Sequence, residues 1–289
     1  MVTIDQELCI GCGICAKDCP GHAIAVKEGK AQVIHSCIQC GHCVAVCPVR
    51  AAAIPEYDME DVEEYDPETF RLSPETFLHA VKFRRSIRNF KEKPLEKEKL
   101  ERIIDAGRYT ATAKNAQAST FVVVQEKLAE FKTIFWEELP SVLETLQEAA
   151  PAYVRPFRLF YEKWKRNPQD DTFFFNAPCF LLTAAENPLD GGLAAANMEN
   201  QAVAEGAGAL YSGYLMRAVS ASPRLREWLE IGDKPVACCM LLGYPAVSYR
   251  RTAPRKKADA LWKEPLPSKA SSLRKVREKR FGKSSGKSL

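Results

Sequence analysis

Apolar positions along the chain keep two rhythms, and each predicts an element type. Residues 120–124 (TFVVV), 179–183 (CFLLT) and 236–242 (VACCMLL) are short continuous apolar runs bounded by turn residues, as strands of a buried sheet would be. Between them the spacing suits helices. Ser73-Pro74 offers an N-cap followed by proline at the first helical position, with Phe77, Val81 and Phe83 behind it toward Arg85. Pro94 opens a second helix through Leu100, Ile103 and Ile104, with Gly107 near its end. Residues 127–150 carry Phe131, Ile134, Phe135, Val142, Leu143 and Leu146, and residues 192–205 are alanine-rich, as a tightly packed internal helix would be. Helix, helix, strand, helix, strand, helix, strand is an α+β order without regular βαβ alternation.

Polar segments divide this pattern. Residues 56–68 (EYDMEDVEEYDPE) hold eight acidic residues and no basic one, with no apolar period, and read as an extended linker. From Arg250 to Leu289 fourteen Lys/Arg face three Asp/Glu; the first 249 residues, with 27 Lys/Arg against 34 Asp/Glu, carry −7 while the whole chain carries +4. The expected organisation is a small cysteine-rich domain at 1–55, an acidic linker at 56–72, a main domain at 73–258 and a basic, flexible tail at 259–289. A basic run without a recognised nucleic-acid fold is first a solvated extension or an arm embracing a subunit, so nucleic acid is not the expected partner. With 289 residues, 46% of them hydrophobic, the chain can fill one core and a satellite. No apolar run approaches the roughly 18 to 20 residues of a membrane helix, and the start has neither a basic n-region nor an apolar h-region. The expected location is the cytoplasm.

Eight of the eleven cysteines fall between residues 9 and 47 at metal-ligand spacing, which points to a metal centre in a reducing compartment rather than to a disulfide framework. They form a repeat: Cys9, Cys12, Cys15 and Cys19-Pro20 recur 28 residues later as Cys37, Cys40, Cys43 and Cys47-Pro48. Three thiolates at three-residue intervals can wrap one face of a cubane, and Gly11, Gly13 and Gly41 permit the tight turns. Tetrahedral zinc takes four ligands and gives no reason for the third cysteine or the Cys-Pro. The run C-x-x-C-x-x-C-x-x-x-C-P resembles that of bacterial two-cluster 4Fe-4S ferredoxins. The resemblance implies one cluster on Cys9, Cys12, Cys15 and Cys47 and another on Cys37, Cys40, Cys43 and Cys19, the fourth ligand crossing between halves. Residues 1–55 are too few for a large core, so iron is expected to hold the module together. His22, His35 and His42 read as surface or hydrogen-bonding residues.

A second constellation begins at Arg84-Arg85-Ser86-Ile87-Arg88-Asn89-Phe90, where guanidinium groups and a hydroxyl gather at a helix end, chemistry suited to a phosphate. Taken alone, it fits a solvated basic face equally well. In order there follow Thr110 to Gln117 (TATAKNAQ) before TFVVV, Asp190-Gly191-Gly192 opening a helix that ends Ala204-Glu205-Gly206-Ala207-Gly208, Tyr211-Ser212-Gly213, and Pro235 to Pro245 (PVACCMLLGYP). From residue 75 to about 256 these motifs resemble the FMN-binding nitroreductase family. The resemblance implies a central mixed or antiparallel sheet flanked by helices. It places the FMN phosphate and ribityl chain on Arg84, Arg85 and Ser86, the pyrimidine end near Arg88, and Thr112 and Asn115 on a loop lining flavin and substrate. It also implies backbone amides at Ser212 and Gly213 near flavin N5, Arg251 and Arg255 reaching the phosphate with Arg250 competing, and an intertwined homodimer with flavin at the interface. Thr110-Ala111 and Ala118-Ser119 depart from the family's Ala-Pro and Pro-Trp, which leaves the substrate pocket open. Gly206 and Gly208 suit close packing as well as flavin, and Cys179, Cys238 and Cys239 read as small buried strand residues.

The expected function is an oxidoreductase in which electrons pass through two 4Fe-4S clusters and FMN to a small organic acceptor, a nitro compound or similar. No catalytic acid or base is assigned; protons come from solvent or from a pocket side chain such as Lys114. No G-x-G-x-x-G follows a strand, so NAD(P)H as donor would stack directly on the flavin, and ferredoxin or another redox protein is an equal candidate. The rival readings are a dehydrogenase that passes substrate electrons out through the clusters, and a non-catalytic electron-transfer or redox-sensing module.

Overall fold

The computed structural model describes residues 1–263; most of the expected basic tail lies outside the described residues. Met1–Thr252 forms one compact unit, and the chain from Ala253 belongs to a second.

The N-terminal module contains β1 (Thr3–Ile4), α1 (Ile14–Asp18), β2 (Ile24–Lys27), β3 (Lys30–Val33), α2 (His42–Ala45) and β4 (Ala52–Ala53). β1 pairs antiparallel with β4, closing the module end to end, and β2 and β3 form a hairpin. Its core is a few small side chains, Val2, Ile24, Ala31, Ala51, Ala52 and Ile54, together with Cys9 and Cys43. The backbone repeats with the sequence. Gly13 (φ 75) and Gly41 (φ 77) precede α1 and α2, Gly11 (φ 68) matches Gln39 (φ 52), and His22 (φ 49) matches Arg50 (φ 53). Only glycine adopts such left-handed angles without cost, which explains Gly13 and Gly41.

The acidic segment is not the extended linker its composition suggests. It makes a short helical turn at Met59–Asp61 and then α3 (Pro67–Phe70), capped by the carboxylates of Asp58 and Asp66, which accept from the N–H groups of Glu60 and Glu68. Acidic side chains cap helix N-termini well, so a run rich in them nucleates turns wherever something else holds the chain. Here Asp61 is held by Arg108 at 2.8 Å and Tyr109 at 2.7 Å.

The main domain runs α4 (Pro74–Phe83), α5 (Lys97–Arg108), β5 (Thr120–Val124), α6 (Leu128–Ala149), α7 (Pro151–Arg166), β6 (Cys179–Ala184), α8 (Pro188–Ala204), β7 (Gly208–Tyr211), α9 (Gly213–Ala221), α10 (Pro223–Trp228) and β8 (Val236–Gly243). The strands form one antiparallel sheet in the order β5-β6-β8-β7. Both faces are covered, which is why β6 is wholly buried and apolar but for Thr183, whose hydroxyl donates to the Gly191 carbonyl at 3.2 Å. Cys179 and Leu181 of β6 pack with Ile103 of α5 and Met198 of α8 on one face. Phe180 and Leu182 pack on the other with Phe131 and Phe135 of α6, Phe157 of α7 and Leu215 of α9. On that face Trp136 stacks on Trp164 at 5.2 Å between centroids.

α5 begins at Lys97, three residues after Pro94, because Leu95 is committed elsewhere: its N–H and carbonyl both bond the side-chain amide of Gln125, at 2.9 Å each. α8 begins at Pro188 with Asn187 as its cap, so Asp190-Gly191-Gly192 lies in its first turns and does not precede it. The apolar rhythm left α7, β7, α9 and α10 unannounced. α7 opens on Pro151, which a first turn accommodates, and carries Pro156 in its interior, and β7 is only four residues long.

Candidate functional site

One cavity of the N-terminal module is lined by Cys9, Cys12, Cys15 and Cys47, three thiols from the first half of the repeat and one from the second. Backbone amides aim at the sulfurs in a pattern that repeats: Ala23 N–H donates to Cys19 Sγ and Ala51 N–H to Cys47 Sγ, both at 3.2 Å. Ala31 N–H reaches Cys9 at 3.4 Å and Gln39 N–H reaches Cys37 at 3.2 Å. Amides directed at sulfur stabilise thiolate, and those of Ala31 and Gly11 lower the Cys9 pKa. Burial works the other way, raising Cys15 and pushing Cys43 up to about 11, with the nearby Cys37 and Cys40 adding to the rise at Cys43. A bound metal would offset that cost by favouring the thiolate. Four thiols around one cavity, with amides on the sulfurs, fit an iron-sulfur cluster. His42 Nδ1 lies 3.0 Å from Asp18 and serves a hydrogen bond.

A larger cavity, of about 1050 Å³, opens between the module and the main domain. Cys40, Gly41 and His42 line one side and Thr112, Lys114 and Asn115 the other. Asn115 Nδ2 donates to the carbonyls of Gln39 at 2.9 Å and Ile38 at 3.2 Å, and Gln117 Nε2 donates to Tyr57 Oη at 2.9 Å. Lys114, Asn115 and Gln117 hold φ of 53°, 55° and 48°, left-handed values that non-glycine residues keep only when their surroundings impose them. Thr112 Oγ1 accepts from Gln117 N–H at 3.0 Å, closing this loop on itself.

The basic motif sits against the end of β7. Ser86 bridges Ala209 in parallel, and Ile87 N–H donates to the Ala209 carbonyl at 3.0 Å. The parallel register sets Arg85 and Arg84 beside the start of β7, while Ser212 and Gly213 follow its other end. Arg85 donates to the carbonyls of Arg84, Lys82 and Arg251, the last at 3.4 Å, which draws Arg251 to the same place. Arg88 is exposed. Ser212 departs from its expected role: its N–H donates to the Cys239 carbonyl at 2.8 Å and its hydroxyl caps α9 through Leu215 N–H. Gly213 follows at the first helical position, where an amide has no intrahelical partner. Arg85 and Ser86, with Arg251 drawn to Arg85, supply donors whose chemistry fits an anionic phosphate. Thr112 and Asn115 belong instead to the loop facing the N-terminal module, and Arg255 lies in the second compact unit, where it donates to the Pro254 carbonyl.

One residue at this site was not foreseen. Glu199 of α8 accepts from Arg84 at 2.9 Å. Burial raises its pKa, opposed by the Arg84 charge and by hydrogen bonds from Arg84 and Tyr211. Burial and the Glu199 charge in turn raise Tyr211. The available signal was that Glu199 is the single charged residue between Gly191 and Ala204. Cys179 is buried, its thiol pushed up to about 12, and Cys238 and Cys239 are raised by burial too, which disfavours the thiolate at all three.

Residues 81–244 match the profile of the nitroreductase family, and residues 1–48 match that of the 4Fe-4S dicluster domain. Among solved structures, a nitroreductase with bound FMN from Bacteroides fragilis is 21% identical with a TM-score of 0.50, over 65% of this chain and 98% of that one. A nitroreductase with bound FMN from Desulfitobacterium hafniense is 20% identical with a TM-score of 0.49, over the same shares of the two chains. Likeness at this identity is one of fold. No curated protein matches the chain.

Proposed function

The chain belongs to the nitroreductase family and carries a 4Fe-4S dicluster domain at its N-terminus, and from that premise we propose that it is an FMN-dependent oxidoreductase taking electrons through two 4Fe-4S clusters to reduce a small organic acceptor, a nitro compound or similar. The observation that carries this reading is the shared cavity, which sets Cys40 of the module opposite the Thr112 to Asn115 loop of the main domain. When bound, FMN exchanges electrons singly or in pairs and the clusters exchange them singly, so the two together join one-electron donors to two-electron acceptors.

The chain's own residues divide the remaining work. Cys9, Cys12, Cys15 and Cys47 hold one cluster, and Cys37, Cys40, Cys43 and Cys19 the other. Arg85, Arg88, Ser86 and Arg251 hold the FMN phosphate and polar edge, with Arg84 fixed beside them by Glu199; Gly213 offers its amide to developing negative charge. Thr112 lines the flavin from the loop side. The protein works as a homodimer. Support for that comes from α4, which buries no residue and leaves Phe77, Leu78, Val81 and Phe83 between 42% and 49% exposed. No helix among the described residues is long and apolar enough to cross a membrane.

Anaerobic stopped-flow mixing of the purified protein with NADH, NADPH and reduced ferredoxin, following flavin and cluster absorbance separately, tests the reading. Reduction by ferredoxin with clusters leading and flavin following supports it. Rapid flavin reduction by a nicotinamide, with clusters reduced afterwards, makes the clusters an outlet and favours the dehydrogenase direction. A protein that carries no flavin, or whose clusters and flavin never exchange electrons, overturns it.

A further inference from the structure

Asn115 spends its side-chain donors on the N-terminal module. Its Nδ2 bonds the carbonyls of Gln39 and Ile38, which lie between Cys37 and Cys40, while Gln39 turns its own N–H to Cys37 Sγ at 3.2 Å. A continuous hydrogen-bonded path therefore joins a cysteine of the second half-repeat to the loop of Thr112 to Gln117. Both ends of the path hold left-handed angles, Gln39 at φ 52° and Asn115 at φ 55°. Gln117 with Tyr57, and Arg108 and Tyr109 with Asp61, brace the same seam. Among the described residues the first half of the repeat makes no equivalent bridge. The residue 28 positions before Gln39 is Gly11, which packs so tightly on the Gly29 carbonyl of its own module that a methyl group there would overlap it. Gly11 packs on the hairpin and Gln39 meets the main domain, which breaks the symmetry of the repeat.

We infer that Asn115 is a positioning residue that clamps the second-half cysteine loop onto the loop of Thr112 to Gln117, so that Cys37, Cys40 and Cys43, not Cys9, Cys12 and Cys15, face the flavin side of the protein. The inference rests on the proposed reading of that loop as flavin-lining; the clamp itself does not.

The test uses full-length holoprotein carrying Asn115→Asp, which keeps the side chain's shape and removes both N–H groups, and Asn115→Ala. Iron and FMN content, hydrogen exchange at residues 37–40, and the rate at which cluster and flavin absorbances equilibrate after a substoichiometric pulse of dithionite are measured together. Loss of two hydrogen bonds lowers the docking equilibrium constant on the order of tenfold. The expected result is full iron and FMN, exchange at 37–40 faster by up to that factor, and slower equilibration. Unchanged exchange with unchanged equilibration overturns the clamp. FMN lost from the variants while exchange at 37–40 stays unchanged also overturns it, and assigns Asn115 to the flavin. If the parent protein carries no flavin, the functional reading fails, and the exchange measurement alone still decides the clamp.

Discussion

Arg84 Nη1 donates to Glu199 Oε1 at 2.9 Å, joining residues 115 positions apart in the chain. The pair ties the segment after α4 to the middle of α8, so Arg84 serves the fold as well as any anion beside it. Replacing Arg84 by Met is expected to lower stability by about 1.5 to 3 kcal/mol, the usual loss for a charge-assisted bond to a buried partner. The sign with pH also follows. Burial raises the Glu199 pKa, so stability falls as pH rises from the ordinary carboxylate range toward the folded value, and loss of Arg84 steepens that fall. Urea unfolding by tryptophan fluorescence between pH 5 and 8 measures both; an unchanged midpoint would confine Arg84 to cofactor binding. Ser86→Ala and Arg88→Met, which leave the pair intact, are the cleaner tests of FMN retention.

Gly208 packs against Ile87, and a methyl group at Gly208 would overlap Ile87 Cγ1. This contact brings the Arg84 to Ser86 segment onto β7. Gly208→Ala is expected to cost about 1 to 3 kcal/mol by overpacking, and Ile87→Ala in the same chain to recover part of it. Thermal melts of the two single variants and the double variant measure the coupling, and strictly additive losses would mean the two sites are independent.

Cys47 lines the cavity of Cys9, Cys12 and Cys15 although it belongs to the second half of the repeat. Cys47→Ala is therefore expected to damage the cluster of the first three cysteines, and Cys19→Ala the other. Electron paramagnetic resonance of the reduced variants, with iron analysis, distinguishes the two. Loss of only the second-half signal in Cys47→Ala would show that the ligands do not cross.

Arg102 grips Glu205 at the end of α8 with two bonds, at 2.6 and 2.9 Å. The grip lowers the Glu205 pKa from 4.5 to about 2. A depressed carboxyl contributes stability that is complete above 4.5 and disappears as pH falls toward 2. Arg102→Met should therefore match the parent near pH 2 and be the less stable of the two above pH 5. A difference that does not change between these limits would locate the effect in packing instead of charge.

The sequence by itself determined what rests on local spacing. Cysteines at three-residue intervals, repeated after 28 residues, specify the N-terminal module, because ligand spacing and turn geometry are set within a few bonds of backbone. The runs TFVVV, CFLLT and VACCMLL became β5, β6 and β8; β6, central and covered on both faces, is wholly buried, while β5 at the sheet edge leaves Val123 exposed. Helix α6 begins and ends within one residue of its apolar pattern, since its Phe131, Phe135, Val142 and Leu146 share one buried face.

Only the tertiary structure decided the rest. The partner of Arg84 stands 115 residues away, that of Asn115 stands 76 residues away, and Asp61 meets Arg108 across 47. Composition made Asp61 part of a solvated linker and the family motif made Asn115 a flavin contact; packing gave each a neighbour that no local pattern encodes. Polar side chains take whichever satisfied geometry the packed backbone offers, because leaving a buried donor or acceptor unpaired costs more than any local preference gains.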